Sequence, residues 1–254
     1  VVRNVQAAVQ HVIKEVSALK IRIKFAKQGV MRFIGHLDIM RYFQKAMRRA
    51  HIDIAFTEGF SPHMIMSFAA PLGVGLTSNG EYMDIEIRTP ISSEDAIRQL
   101  NEVMVDGMKV LSFRQIEEGK AGKAMSLVAA ADYTVSFRPG YEPEGDWQSR
   151  LEEFIQKDSI LVLKKTKKSE VETDIRPMIY QLSVKDDKVH MTLATGSAAN
   201  LKPELVMSAF LKSECLDLDP FALSVNRDEV YADIGTEENR KLTSLESLGE
   251  DVVL

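Results

Sequence analysis

The sequence predicts an α+β protein built from two tandem halves, and three observations carry that expectation. Segments in which apolar residues alternate with polar ones are interleaved with segments in which they recur every three or four positions, the two periods of strand and helix. The order strand-helix-strand-strand-helix-strand is read over residues 20–118 and returns over residues 127–234. Hydrophobic residues make up 45% of the 254 positions, enough for buried cores, and no apolar run approaches the roughly 18 residues that cross a bilayer.

Residues 1–19 carry Val2, Val5, Val9, Val12, Val16 and Leu19 at spacings of three and four, which predicts an N-terminal helix or connector with one apolar seam. Ile21, Ile23 and Phe25 then alternate with Lys20, Arg22 and Lys24, as in a half-buried strand. After the Gln28-Gly29 turn, Ile39, Phe43, Ala46, Met47 and Ala50 trace a helical stripe, with Arg41, Lys45, Arg48 and Arg49 mostly off it. A short strand near Ile52–Phe56 and a long loop rich in Gly, Pro and Ser lead to a strand at Tyr82–Arg88. Ser92 and Asp95 have the spacing of a capping box, opening a helix that Gly107 closes before a strand at Lys109–Ile116. Residues 117–126 read as a linker.

The second series opens with Tyr133, Val135 and Phe137 alternating as a strand. Asp146 caps a helix carrying Trp147, Leu151, Phe154 and Ile155, and Ile160–Leu163 is a short apolar strand. Met178–Val184 and Lys188–Ala194 form a hairpin around Asp186-Asp187, followed by a helix from about Pro203 to Lys212 and a strand at Phe221–Tyr231. The βαββαβ order, with one extra strand in the second half, is the ferredoxin-like arrangement. In such a sheet the strand at Lys20–Lys24 lies beside Tyr82–Arg88, so Arg22 and Lys24 would face Asp84 and Glu86. Residues 235–254 read as a polar, poorly ordered tail.

Composition narrows the function classes. A single cysteine, Cys215, excludes an internal disulfide, a CxxC pair and a three-cysteine iron–sulfur motif within these residues, so cluster chemistry would come from a partner. A net charge of -5 argues against a globally basic nucleic-acid binder. Local basic patches remain at Arg41, Lys45, Arg48 and Arg49 and at Lys164, Lys165, Lys167 and Lys168. With no basic-then-apolar leader at the start, a cytoplasmic protein without a membrane partner is expected.

Two segments are candidate sites: Gly35-His36-Leu37-Asp38 at a helix start, and the long loop from Gly59 to Gly75. They are expected to approach one another, with His36, Asp38 and His63 as candidate acid/base groups and Ser61 beside them. No HxxxH or HExxH spacing supports a metal site. Ser61 precedes Pro62 outside any GxSxG elbow, which reads as a turn hydroxyl, and Gly73-Val74-Gly75 precedes no helix that would make it a dinucleotide fingerprint. The segment Thr195–Asn200 runs into a helix, so the amides around Gly196 and Ser197 can cradle a phosphate or carboxylate. Arg41, Lys45, Arg48, Ser61, His63, Gly73, Gly75, Gly196 and Ser197 complete the candidate binding set.

Within the run Phe25–Ile87, the helix entry GHLD, the turn GFSPH, the segment PLGVG and the strand GEYMD together resemble the radical-SAM-linked family, with the stretch Thr173–Pro177 as a further likeness. That family is a bacterial domain of unknown function fused to, or encoded beside, cobalamin-type radical SAM proteins. The resemblance implies a radical SAM protein as partner, with iron–sulfur cluster, SAM and cobalamin on that partner and no cofactor in this chain. Family members often carry a basic residue after the GFSPH turn where this chain has Met64-Ile65-Met66, which weakens any phosphate role for that loop. The function expected is a non-catalytic accessory module presenting an RNA or ribosome-linked substrate to a radical SAM enzyme through GHLD and GFSPH. An RNA-processing or phosphoryl-chemistry enzyme using His36 as acid/base, and a structural adaptor docked through its N-terminal helix, stay open beside it.

Overall fold

Strand β1 (Leu19–Lys27) is where the sequence alternation is borne out and exceeded. Ile21, Ile23 and Phe25 are buried as the pattern requires, but Arg22 and Lys27 on the opposite face are buried too. A computed structural model describes residues 18–117, 122–165, 170–236 and 239–254, and in it β1 lies inside the sheet with protein on both faces. Leu19, expected in the N-terminal helix, opens this strand instead; the rest of that helix lies outside the described residues.

A short 3-10 turn (Gly29–Phe33) precedes α1 (His36–Arg49), which buries Ile39, Phe43, Ala46 and Met47. The expected strand at Ile52–Phe56 is reduced to isolated bridges, Ile54 to Ile87 and Phe56 to Met64, and a three-residue β2 (Met66–Phe68) sits within the predicted loop. The Ile54 bridge and β2 lie along β3 (Thr77–Ile87). Ser92 caps α2 (Ser93–Val103), its Oγ accepting from Asp95 N at 3.1 Å, and β4 (Met108–Gln115) follows.

The second series begins with a single turn, α3 (Ala124–Leu127), and β5 (Val128–Phe137). Asp146 caps α4 (Trp147–Ile155) through Ser149 N. Strands β6 (Leu161–Lys165) and β7 (Glu170–Asp174) pair only with each other, as a separate two-stranded sheet. The hairpin of β8 (Ile179–Lys185) and β9 (Lys188–Ala194) turns at Asp186 and Asp187, both at positive φ, as a two-residue type I′ turn demands. Helix α5 (Pro203–Ser213) and β10 (Leu223–Asp233) complete the series.

One sheet runs through both series, in the order β12-β4-β1-β3-β10-β5-β9-β8, with β2 on β3 and β11 on β10. Here β11 is Leu242–Ser244 and β12 is Glu250–Asp251. Every ladder in it is antiparallel except β3 with β10, which is parallel through Thr77–Asn226 and Ser78–Arg227. The fold is thus α+β around a large, mostly antiparallel sheet. The two series join through β3 and β10, and the buried side chains form two hydrophobic clusters, one of which takes in Ala69 and Tyr82 of the first series beside residues of the second. At the seam the backbones meet at Gly80, where an added Cβ would stand 2.6 Å from Glu229 Cα.

Two further expectations are corrected. Arg22 does meet Asp84, with Nε 2.8 Å from Oδ1, but Lys24 turns across the seam to Glu229 and Glu246 at 2.6 and 2.7 Å, because its register partner on β3 is Tyr82. The polar tail is not poorly ordered. Leu245 and Val252 are buried, β11 and β12 extend the sheet, and Val252 N donates to Ser93 Oγ at 2.8 Å. A few apolar residues at the right register outweigh a polar average.

Candidate functional site

The largest convergence of sequence-flagged segments is a cleft of about 390 Å³ between the two series. Its first wall is Ala69–Gly73 with Leu76, the PLGVG region. This stretch runs beside β3, with Ala69 N donating to Tyr82 O at 3.0 Å. The second wall is the Thr195–Glu204 region, where β9 ends and α5 begins. At Gly196, φ is +137° and a Cβ would collide with Val128 O, so the chain passes against the start of β5 in a way only glycine allows. Leu201 N then bonds Ala194 O at 2.9 Å and closes the loop. Pro203 occupies the first turn of α5, and no side chain caps that helix end.

Tyr133 from β5 and Arg227 from β10 also line the cleft and are nearly enclosed, 6% and 3% exposed. Arg227 donates through Nε to Glu81 Oε1 at 2.9 Å and through Nη2 to Glu81 and to the carbonyl of Ala70. That last bond ties the first wall to a strand of the other series. Burial opposes the Arg227 charge, but Glu81, helped by Tyr133, outweighs it and raises the guanidinium above its ordinary value. Lys27, buried nearby with Nζ on Ile34 O at 3.0 Å, goes the other way: burial lowers it and Arg227 adds to the effect, against the attraction of Glu81.

The two segments do approach one another, at His36 and Phe68, but His36, Asp38, Ser61 and His63 line no common cavity. His36 opens α1, stands edge-on to Phe68 at 5.0 Å, and lines a crevice of about 10 Å³ with Lys27, Leu72 and Glu81, room for about one water. His63 lines a separate groove of about 230 Å³ with Met64, Ser67, Asp84 and Glu86. Its Nδ1 is 3.1 Å from Thr57 Oγ1, which also accepts from the His63 backbone. Asp38 is turned to solvent against Arg41 at 3.1 Å, and Ser61 is exposed on its turn. Gly73 reaches the cleft, whereas Gly75 donates its N–H to Arg32 O at 2.8 Å. Gly196 and Ser197 are in the cleft; Arg41, Lys45 and Arg48 are exposed on α1. Lys167 and Lys168 lie outside the described residues, as do the side chains of Lys164 and Lys165. Among the described residues no three His, Cys, Asp or Glu side chains are grouped to hold a metal ion.

Sequence reasoning missed Arg227, Glu81, Tyr133 and Lys202. One signal was present: Val225 and Arg227 are two apart on a strand, so a charged residue stood at an inward register position.

No curated protein matches the sequence. A family model described as an uncharacterized protein conserved in bacteria (DUF2344) matches residues 20–203, from β1 to the first residue of α5. That span is well over half of the 254 residues and holds both walls of the cleft up to Pro203, and the chain therefore belongs to this bacterial family.

Proposed function

We propose that the chain is a non-catalytic accessory module that docks on a radical SAM protein in the bacterial cytoplasm and presents an RNA or ribosome-linked substrate to it. The observation that carries the docking part is a group of exposed apolar side chains where the GHLD and PLGVG segments meet. Val30 and Phe33, three apart on a 3-10 turn and so on one face, are 74% and 60% exposed. Leu37, in the first turn of α1, is 60% exposed. The bond from Gly75 N to Arg32 O sets Val74, 61% exposed, beside them. Contiguous exposed apolar surface of this kind marks protein interaction sites.

The identity of the partner rests on the resemblance of these same segments to the radical-SAM-linked family, and cluster, SAM and cobalamin would all be the partner's. The RNA element is supported by Arg41, Lys45 and Arg48, which at spacings of four and three share one exposed face of α1. The ferredoxin-like reading of both halves is supported by their strand neighbours: β4-β1-β3 with β2 on β3 in the first, β10-β5-β9-β8 in the second. His36 as an acid/base catalyst has less support, since its crevice admits no substrate larger than water.

The test is recovery of partners with the tagged full chain expressed at native level. Wild type is expected to retain a radical SAM protein and the variant Val30→Asp/Phe33→Asp to lose it; absence of any radical SAM protein from the wild-type eluate would sink the proposal. A chain lacking residues 1–18 separates the structural-adaptor reading, which requires that segment for capture. Replacing Arg41, Lys45 and Arg48 by Ala should lower co-purified RNA without altering protein capture.

A further inference from the structure

We propose that the end of the second series, where the β8–β9 turn meets residues 138–146, docks an arginine-bearing and partly apolar segment of a protein partner, with one arginine seated in a groove of about 340 Å³. The inference is independent of the apolar surface at Val30 and Phe33, which belongs to the first series, and either can fail without the other.

Three elements build the groove. The end of β5 gives Ser136 and Phe137, the start of α4 gives Trp147 and Gln148, and the hairpin gives Asp186, Asp187 and Lys188. Phe137 and Trp147 are buried and meet edge to face with ring centroids 5.2 Å apart, so the base is apolar and stiff. The rim is acidic. Glu142 accepts from Gly140 N at 2.8 Å, Asp187 accepts from Gln148 Nε2 at 2.7 Å, and Asp186 is exposed on the same turn. Among the described lining residues Lys188 is the one cation against these three carboxylates.

An apolar base under an anionic rim selects a side chain with an aliphatic stem and a cationic head, and of the two such side chains only arginine can fork onto a carboxylate. The surrounding charge extends the preference from one residue to a segment. Residues 138–146 and 214–221 hold Glu142, Glu144, Asp146, Glu214, Asp217 and Asp219 against Arg138, an excess of five that equals the net charge of -5 on the whole chain. Two contacts bring these stretches together: Arg138 N donates to Ala222 O at 2.7 Å, and Arg150 donates to Glu144 O at 3.0 Å while pairing with Glu214 at 2.6 Å. Arg150 offsets Glu214, which leaves an excess of four. Interspersed with these carboxylates, Tyr141, Leu216 and Phe221 are 43%, 46% and 68% exposed. Apolar side chains within a field of one sign match a partner segment that is both basic and apolar, and the same field repels nucleic acid from this end.

Trp147 is the only tryptophan in the chain and lines the groove, so its fluorescence reports occupancy directly. The full chain titrated with the peptide acetyl-Arg-Leu-Arg-Leu-Arg-amide should show a saturable change in that emission, with affinity falling steeply between about 0.05 and 0.3 M salt as the field is screened. The peptide with lysine in place of arginine should bind more weakly. Glu142→Gln combined with Asp186→Asn keeps both turns, since glutamine still accepts from Gly140 N and asparagine tolerates the positive φ at 186, and should weaken the arginine peptide by about tenfold. Emission that does not saturate, affinity unchanged in the double variant, or equal affinity for the lysine peptide overturns the proposal.

Discussion

The second series ends its side of the sheet with a regular hairpin, whereas the first series, beside β3, has only isolated bridges, the three-residue β2 and long connecting loops. In β8–β9 the ladder runs from Ile179–Leu193 to Lys185–Lys188 and satisfies the backbone by itself. Apart from the three-residue β2 ladder, residues 52–76 are instead held one bond at a time: Ala55 N to Glu86 O, Arg88 N to Asp53 O, Thr57 N to His63 O and Ala69 N to Tyr82 O. They are irregular but anchored. The irregular edge supplies one wall of the cleft and Val74 of the apolar patch, and it carries the GFSPH turn; the regular edge supplies none of these. Loops fixed by a rigid sheet are where binding groups are usually found.

The deepest of these anchors is Arg227 from the other half, holding Ala70 O with Glu81 as its counter-charge. Glu81→Ala should break the comparison at its root, since it leaves a buried guanidinium uncompensated. The expected cost is about 3–5 kcal/mol by urea denaturation, the largest of the changes considered. A loss below about 1 kcal/mol would show that the wall does not depend on this pair. Gly80→Ala, whose added Cβ would stand 2.6 Å from Glu229 Cα and 2.8 Å from Asp228 O at the seam, should follow at about 1–3 kcal/mol as an overpacking effect. In the regular hairpin, by contrast, Asp187→Gly relieves a positive φ and should change stability by less than about 1 kcal/mol.

The seam also has a pH signature. Lys24 is disfavoured by burial, but its bonds to Glu229 and Glu246 prevail and raise it above 10.5. The Tyr82 hydroxyl donates to Glu229 at 2.6 Å, and burial with that carboxylate raises it well above 10.0. For both groups the folded chain holds its proton more tightly than the unfolded chain. Their contribution is therefore complete below the unfolded values of 10.0 and 10.5 and is lost as pH rises through the folded ones. Stability measured from pH 9 upward, by about one unit steps, should fall, and the fall should be shallower in Tyr82→Phe. An identical slope in that variant would remove Tyr82 from the account.

How much of this was legible depends on which period governs a segment. Strands such as β5 and the β8–β9 hairpin, and helices such as α2 with Ser92 and α4 with Asp146, follow from local pattern and capping, and they appear within a few residues of expectation. The Thr195–Asn200 and PLGVG segments were recognised as unusual, but not as neighbours, because the ladder of β3 with β10 that joins them is made of residues about 150 apart in sequence. His36 and His63 were grouped by proximity along the chain, and the turn of β2 onto β3 sends them to different depressions. Arg227 was passed over because a strand register is invisible without its partner strand.

The smallest expected effect gives the finest separation of the two edges. If the irregular edge is kept exposed for contact and not for stability, then Phe33→Asp and Val74→Asp, both at solvent-facing positions, should each shift the unfolding free energy by no more than about 0.5 kcal/mol. The matched control is Val189→Asp, which buries an unpaired charge in the hairpin and should be strongly destabilising. Arg32 complicates Phe33, since its guanidinium lies over the Phe33 ring at 4.8 Å, a cation–π contact of about 0.5–1 kcal/mol at an exposed site. An aspartate at that position would pair with Arg32 in place of the ring and offset part of the loss. Val74→Asp has no such compensation, so the cleaner reading comes from it: near-neutral stability with lost partner capture assigns the surface to binding, and a loss above about 1 kcal/mol assigns it to the fold.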